Sequence, residues 1–233
     1  YAGEGLYGSR TGFITNTIQE LNAGDPTTAT NSGFKYAGAM ESYFTRLNYI
    51  YKNKYVFQGT YRADGSPSFG ENNRWGYFPS VSAAWKINKE SFLSSFEKIN
   101  ELKLRCEWGI TGNQNSSGAT YYSNMTAWTT PWGTGFLPGN YSNPDFQWEE
   151  TQTINAGIDL YMFKNRLQVN VDAYLKNIDN LMMLLPLPNY MGTNGQGNIK
   201  SPWQNIGAMQ NKGIGITVNT INVEKPITWK TGI

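Results

Sequence analysis

The sequence predicts an all-β protein: an antiparallel meander of about eight or nine strands, with a short helix in one turn, that forms part of a large β-barrel. Three observations lead to this prediction. Apolar and polar residues alternate with period two in several segments. The connections between these segments alternate between short and long. Charged residues make up only 15% of the 233 residues and aromatic residues another 15%, a composition that suits interfaces, glycan contacts or the aromatic girdles of membrane barrels.

The composition also excludes several classes of site. The chain has no histidine and a single cysteine, Cys106, which excludes a Ser-His-Asp triad, a His-ligated zinc site and an intrachain disulfide. We predict no metal, no cofactor and no enzymatic activity. The formal net charge of +2 gives no electrostatic case for nucleic acid. Because the last residues, ITWKTGI, stop within a predicted strand and no signal peptide is visible, we expect a fragment of a longer protein.

The first strongly patterned element is a hairpin at 42–62. Residues 1–40 are less clear, and we predict only a loop or a partial strand there. The hairpin, SYFTRLNYIYKNKYVFQGTYR, turns at 52–54, and its apolar side is aromatic near the turn. The predicted register is Tyr49 opposite Phe57, Leu47 opposite Gly59, Asn48 opposite Gln58 and Arg46 opposite Thr60.

The next elements are a strand at 75–87, a short helix within 88–100 and a strand at 102–111. The helix rests on the spacing of Phe92, Phe96 and Ile99, with Asn88 as a possible cap. The strand at 75–87 separates large from small side chains. One face has Trp75, Tyr77, Pro79, Val81, Ala83, Trp85 and Ile87, and the other has Gly76, Phe78, Ser80, Ser82, Ala84 and Lys86.

A second hairpin at 151–176 has the clearest pattern. A two-residue loop at Lys164-Asn165 sorts every residue of both strands into an apolar and a polar face. The register pairs Met162 with Leu167, Leu160 with Val169, Ile158 with Val171, Asp159 with Asn170 and Tyr161 with Gln168. Further strands are predicted at about 204–210, 212–221 and 227–233.

The lengths of the connections indicate the kind of β protein. The turns at 52–54, 164–165 and 222–226 are short, and the helical insert at 88–100 falls where another short turn is due. Long loops rich in Gly and Pro occupy 63–73, 111–147 and 179–202. Short turns on one rim and long loops on the other are the plan of an outer-membrane β-barrel, and strands of about ten residues cross a bilayer when tilted.

Four segments resemble the SusC/RagA-like TonB-linked outer-membrane transporters. DGSPSFGENNRWGYFPSVSAAWKI (64–87) is similar to the family's Asp-Gly-Ser, Phe-Gly and Asn-Arg-Trp-Gly-Tyr-Phe-Pro-Ser-Val-Ser-Ala block. INELKLRCEWGITGNQ (99–114), NPDFQWEETQTINAGIDLYMFKNRLQVNVDAY (143–174) and WQNIGAMQNKGIGITVN (203–219) resemble the next three blocks. They occur in family order from about residue 41 to the end of the chain.

The resemblance implies a function for the whole protein. Residues 41–233 would be part of a TonB-dependent receptor barrel of about 22 strands, without its plug domain and its C-terminal closing strand. The implied role is import of a glycan or peptide nutrient through the bacterial outer membrane. The implied partners are a SusD-like surface lipoprotein, TonB acting through the absent plug, the lipid bilayer and an oligosaccharide or peptide ligand. In that setting Trp75, Tyr77 and Trp85 would face lipid, and Gly76, Ser80, Ser82 and Ala84 would face the lumen.

The candidate ligand contacts are aromatic residues in the long loops, where planar rings can stack on sugars: Tyr121, Tyr122, Trp128, Trp132 and Trp203. The same rings could instead pack the loops together or meet a partner protein. Two other readings remain open at this point. A soluble β-sandwich could bind carbohydrate through these rings, and Asp145, Glu149 and Glu150 could form the carboxylate pair of a glycosidase.

Overall fold

The chain divides into two compact units, 1–40 and 41–233. The computed structural model describes residues 2–15, 17, 20–93, 95–114, 121–191, 199–224 and 226–233. In the first unit, strands β1 (Ala2–Ser9) and β2 (Thr30–Ala37) form an antiparallel pair. Two 3₁₀ turns, Leu21–Ala23 and Pro26–Thr28, lie between them. A two-stranded sheet therefore occupies the segment for which the sequence predicts only a loop or a partial strand.

The second unit is built on one eight-stranded antiparallel sheet. Its strands are β3 (Glu41–Tyr51), β4 (Tyr55–Gly65), β5 (Trp75–Lys86), β6 (Ile99–Asn113), β9 (Glu149–Met162), β10 (Leu167–Asp179), β13 (Met209–Val223) and β14 (Trp229–Gly232). Two small pairs lie in the long connections: β7 (Met125–Thr130) with β8 (Gly133–Pro138), and β11 (Met182–Leu184) with β12 (Trp203–Asn205). The spatial order β14-β13-β10-β9-β6-β5-β4-β3 confirms the predicted meander.

Both predicted hairpin registers are confirmed. In β3–β4 every predicted pair is present, from Arg46 opposite Thr60 to Tyr49 opposite Phe57. In β9–β10 the register runs from Met162 opposite Leu167 to Asp159 opposite Asn170 and beyond. Both turns contain residues with positive φ: Lys52 and Asn53 at 50° and 55°, and Phe163, Lys164 and Asn165 at 55°, 58° and 66°. The second loop is longer than predicted, because the last strand pair, Met162 opposite Leu167, leaves the four residues 163–166 in the turn and not Lys164-Asn165 alone.

Two predicted elements differ in the structure. The helix expected within 88–100 is reduced to one 3₁₀ turn, Ile87–Lys89. The backbone after this turn forms hydrogen bonds between residues three apart in sequence, from Leu93 N to Glu90 O and from Phe96 N to Leu93 O. Further 3₁₀ turns lie at Glu71–Asn73 and Asn189–Met191.

The second difference concerns the strand predicted at 204–210. Its first residues belong to β12, which pairs with β11. Its last residues, from Met209, extend the strand predicted at 212–221 into the single long strand β13. The separation arises because Asn205 donates to the backbone carbonyl of Gln147 in the 114–148 connection and to that of Asn180 at the start of its own connection, which holds 203–205 away from the main sheet.

Connections alternate between the two rims of the sheet, because its strands are antiparallel and consecutive. One rim, the short-turn rim, has the connections 52–54, 87–98, 163–166 and 224–228, and the opposite, long-loop rim has 66–74, 114–148 and 180–208. None of the helices within the described ranges is long and apolar enough to cross a membrane.

The described residues do not form a sandwich. In the unit 41–233, β3–β6, β9, β10, β13 and β14 belong to one sheet, and their apolar face is largely exposed: Leu47 is 73% exposed, Val81 54% and Ile158 44%. A soluble sandwich would bury such a face against a second sheet. The buried hydrophobic residues among those described form a single small cluster on the opposite side, namely Phe69, Phe78, Phe146 and Trp148.

Candidate functional site

The apolar face has an aromatic cluster at each end. Near the short-turn rim, Tyr49, Tyr51, Tyr55 and Trp85 stack in sequence with ring centroids 6.3 to 6.5 Å apart; we call them the short-turn aromatic cluster. Near the long-loop rim, Tyr43 stacks on Trp75 at 6.0 Å and Tyr61 on Tyr77 at 6.3 Å. The strand alternation places all of these rings on one face. The sheet therefore presents two bands of aromatic rings.

The distance between the two bands fits a bilayer. Trp75 and Trp85 both lie on β5, ten residues apart, which at about 3.3 Å per residue is roughly 33 Å along the strand. A strand tilted by about 40° then spans about 25 Å along the membrane normal, the height of the apolar band of outer-membrane barrels. Between the bands lie Val81 of β5 and, in the same row across the sheet, Trp108 and Ile154.

The opposite face has a network of charges. Lys103 Nζ lies 2.7 Å from Asp159 Oδ2, and Arg105 Nη2 lies 2.7 Å from Asp172 Oδ1. Asp159 also accepts hydrogen bonds from Arg105 Nε at 3.2 Å and from Asn170 Nδ2 at 2.7 Å. Asp159 is 3% exposed, so it has exchanged water for three donating side chains. These residues belong to β6, β9 and β10, and their ion pairs and hydrogen bonds connect the three strands on the polar face.

Above the polar face, the long loops are held by the buried aromatic cluster. Phe69 lies 4.8 Å from Trp148 and 5.3 Å from Phe146, measured between ring centroids, and Phe78 meets Trp148 edge to face at 5.4 Å. Gly76 and Gly112 pass directly beside the Phe78 ring, where a Cβ atom would collide with it. The cluster joins the 66–74 connection to the strand ends on either side.

Hydrogen bonds connect the same loops. Asn205 Nδ2 donates to Gln147 O at 2.7 Å and to Asn180 O at 2.9 Å. Asn143 Nδ2 donates to Trp203 O at 2.8 Å. Glu149, which the sequence leaves open as a catalytic carboxylate, accepts from Asn113 Nδ2 and from Met182 N. Its carboxylate therefore ties the end of β6 to β11 in the 180–208 connection. In the parts of the chain that the structure describes, no group of acidic, His or Cys residues could hold a metal ion.

The structure brings three of the five candidate ligand contacts together. Tyr121 and Trp203 pack against the buried aromatic cluster, and Tyr122 meets Tyr121 edge to face at 5.4 Å. Trp128 and Trp132 instead lie on the β7–β8 pair, where Trp132 occupies the turn and is 94% exposed. The loop segments 115–120 and 192–198 lie outside the described residues.

Comparison with known sequences gives consistent matches. The family described as "TonB dependent receptor-like, beta-barrel" matches residues 2–232. TonB-dependent receptor P39 of Formosa agariphila is 39% identical over 227 residues, which cover 93% of this chain and 20% of that protein. TonB-dependent receptor SusC of Bacteroides thetaiotaomicron is 37% identical over 197 residues, covering 81% of this chain and 19% of that protein. The chain thus spans about a fifth of the length of these relatives.

Solved structures show the same fold. The RagAB peptide importer in its closed-closed state superposes with a TM-score of 0.84 at 25% identity, over 97% of this chain and 25% of that one. The siderophore receptor PirA from Pseudomonas aeruginosa has a TM-score of 0.55 at 14% identity, over 88% of this chain and 34% of that one. The second likeness concerns the fold alone.

Proposed function

The chain belongs to the TonB dependent receptor-like β-barrel family, and from that membership we propose that it forms part of the wall of an outer-membrane transporter that imports a glycan or peptide nutrient. The observation that supports this most directly is the exposed apolar face between two aromatic bands. Exposure of such a face is unfavourable in water, whereas the bilayer solvates it.

The two remaining surfaces have separate roles in this proposal. The charged polar face, with Asp159 and Arg105 at its centre, lines the lumen of the barrel. The loop layer at the long-loop rim faces the cell exterior and meets the nutrient and a SusD-like surface lipoprotein. TonB acts on the plug domain, which lies outside this chain. The role of this part is binding and passage, without covalent chemistry.

The charge pattern of the loops favours an uncharged, hydroxyl-rich ligand. The long connections 66–74, 114–148 and 180–208 contain only four charged residues, Glu71, Arg74, Asp145 and Lys200, whereas recognition of a sulfated or uronic glycan would use several Arg or Lys side chains. The exposed aromatic residues Tyr122 and Trp132 offer ring faces for stacking, and amide and hydroxyl side chains surround them. We therefore propose a neutral oligosaccharide first, and a peptide second because the RagAB importer carries peptides.

The proposal is tested by fractionating the bacterium that makes the protein. An antibody against residues 41–233 should detect a band several times larger than the 26.2 kDa of this chain in the outer-membrane fraction. Deletion of the gene should abolish uptake of the nutrient, and the intact gene should restore it. A band near 26.2 kDa in a soluble fraction would overturn the proposal and direct attention to a small binding module.

A further inference from the structure

We propose that the apolar face holds one phospholipid, with its acyl chain in a groove across β4 to β10 and its anionic headgroup at the short-turn rim. The inference rests on the proposed function, because it requires this face to meet the bilayer. The proposal goes beyond general contact between the apolar face and the bilayer, because it assigns a specific binding site for one lipid molecule on that face.

The groove has a volume of about 550 Å³ and is lined almost entirely by carbon. Its floor is a row of small side chains on adjacent strands: Ala83 lies opposite Cys106, Cys106 opposite Ala156, and Ala156 opposite Ala173. This row crosses three inter-strand spacings, about 14 Å. The rows on both sides carry large side chains, with Trp108 and Ile154 on one side and Leu104 and Ile158 on the other. The result is a channel that runs across the strands.

The groove begins in the short-turn aromatic cluster. Tyr55, Phe57 and Trp85 form its end wall. Because barrel strands tilt by roughly 35–45°, a row that crosses them runs obliquely through the membrane. An acyl chain that descends from the short-turn rim can follow this direction.

Cationic groups stand at the same end of the groove. Lys52 Nζ lies 5.2 Å from the centroid of the Tyr51 ring, which places this ammonium group on the apolar side of the turn. Lys54 Nζ lies 2.8 Å from Glu90, and Glu90 accepts from Tyr55 Oη at 2.9 Å and from Trp85 Nε1 at 3.1 Å. The carboxylate thereby fixes the polar edges of both rings at one level, as expected of aromatic residues at a membrane interface.

The charge balance at this end favours an anionic headgroup. Glu90 neutralises Lys54, whereas Lys52 forms no salt bridge within the described ranges and its Nζ lies over the Tyr51 ring. One uncompensated ammonium group beside tyrosine and tryptophan donors complements the phosphate of a lipid.

The test uses the full-length transporter, extracted from its outer membrane in mild detergent, with bound phospholipid counted by native mass spectrometry. Ala156→Phe fills the floor of the groove, and Ala63→Phe adds the same ring on the same face outside it. We expect the wild type and Ala63→Phe to retain one phospholipid and Ala156→Phe to lose it. Lys52→Gln should retain lipid but lose the preference for phosphatidylglycerol over phosphatidylcholine.

Retention of the lipid by Ala156→Phe, or a second protein chain in place of lipid on the wild type, would overturn this inference. These outcomes are distinct from failure of the proposed function. A transporter that reaches the outer membrane and imports its nutrient, but shows the same bound lipid in all variants, contradicts the groove alone. A protein absent from the outer membrane contradicts the proposed function itself.

Discussion

Arg105 of β6 reaches across the whole of β9 to form an ion pair with Asp172 of β10, with 2.7 Å between Nη2 and Oδ1. The residue between them in the register is Gly157, which lies opposite both Arg105 and Asp172. A Cβ atom at Gly157 would stand 2.8 Å from Cζ of Arg105 and 2.6 Å from Oδ1 of Asp172. The glycine therefore provides the space through which the guanidinium group passes.

We predict that Gly157→Val separates this pair and destabilises the barrel. The partly buried Asp172 carboxylate would lose its ion-pair partner, while Arg105 would keep only Asp159, at a cost of about 1–3 kcal/mol. The measurement is the temperature at which the full-length protein loses its folded, heat-modifiable band on a gel. Gly215→Val is the matched control, since Gly215 is opposite Asp172 in the same row and a Cβ built there meets no atom within 4 Å. Equal unfolding temperatures for the two variants would contradict the role of Gly157.

The buried aromatic cluster should control the order of the long loops. Phe69 is fully buried against Phe146 and Trp148, so Phe69→Ala leaves a cavity at a cost of about 3–5 kcal/mol. If the long loops face the cell exterior as proposed, we expect faster proteolysis of these loops on intact cells. Phe136→Ala serves as the control because Phe136 is 64% exposed on β8. If both variants are cleaved at the wild-type rate, the cluster does not hold the loops.

We predict that the stability of the protein depends on pH in the acidic range because of Glu90, which lies in a turn. Hydrogen bonds, first from Lys54 and then from Trp85 and Tyr55, lower the pKa of Glu90 from 4.5 to about 2. Because its folded pKa is depressed, its stabilising contribution is complete above pH 4.5 and is lost as the pH falls towards 2. Glu90→Gln should remove this part of the acid sensitivity, measured by unfolding temperature across that window. The exposed Glu97 provides the control, and the unfolding temperature of Glu97→Gln should follow that of the wild type across the same window.

The hairpins were predictable because a turn and two alternating strands contain all the necessary information locally. Tyr49 opposite Phe57 and Ile158 opposite Val171 follow from the turn position and the period of two. The alternation also places Arg105 and Asp172 on polar faces. It does not show that they meet, because β6 and β9 are separated by the long 114–148 connection, whose length leaves the register between them open.

The packing of the long loops could not be predicted from the sequence for a related reason. Phe69, Phe146 and Trp148 lie in connections without any periodicity, so no pattern marks them as buried. Phe92 and Phe96 show the converse error. Their spacing suggests a helix, yet both rings are exposed, at 64% and 60%. A regular helix at this position would therefore gain no stability from packing of an apolar face.

The two tryptophans of the β7–β8 pair, Trp132 exposed and Trp128 half-buried, give a prediction for ligand binding. If Trp128 and Trp132 stack on the nutrient, Trp128→Ala combined with Trp132→Ala should weaken binding by the full-length transporter about tenfold or more, since each lost anchor costs roughly 1 kcal/mol. Isothermal titration with the nutrient measures this. Trp229→Ala, at an exposed tryptophan of β14, should bind normally. Unchanged affinity of the double variant would count against stacking at this hairpin.

The central claim is that one face of the sheet contacts lipid, and the adjacent residues Val81 and Ser82 test it most directly because they lie on opposite faces of β5. The measurement places a fluorophore on Val81→Cys or Ser82→Cys in the full-length barrel, reconstituted in vesicles and freed of other reactive cysteines, Cys106 included. We predict that a quencher attached to the lipid acyl chains quenches the label at 81 and leaves the label at 82 unaffected. Quenching of the label at 82 by lipid, or of the label at 81 by aqueous iodide alone, would contradict the account.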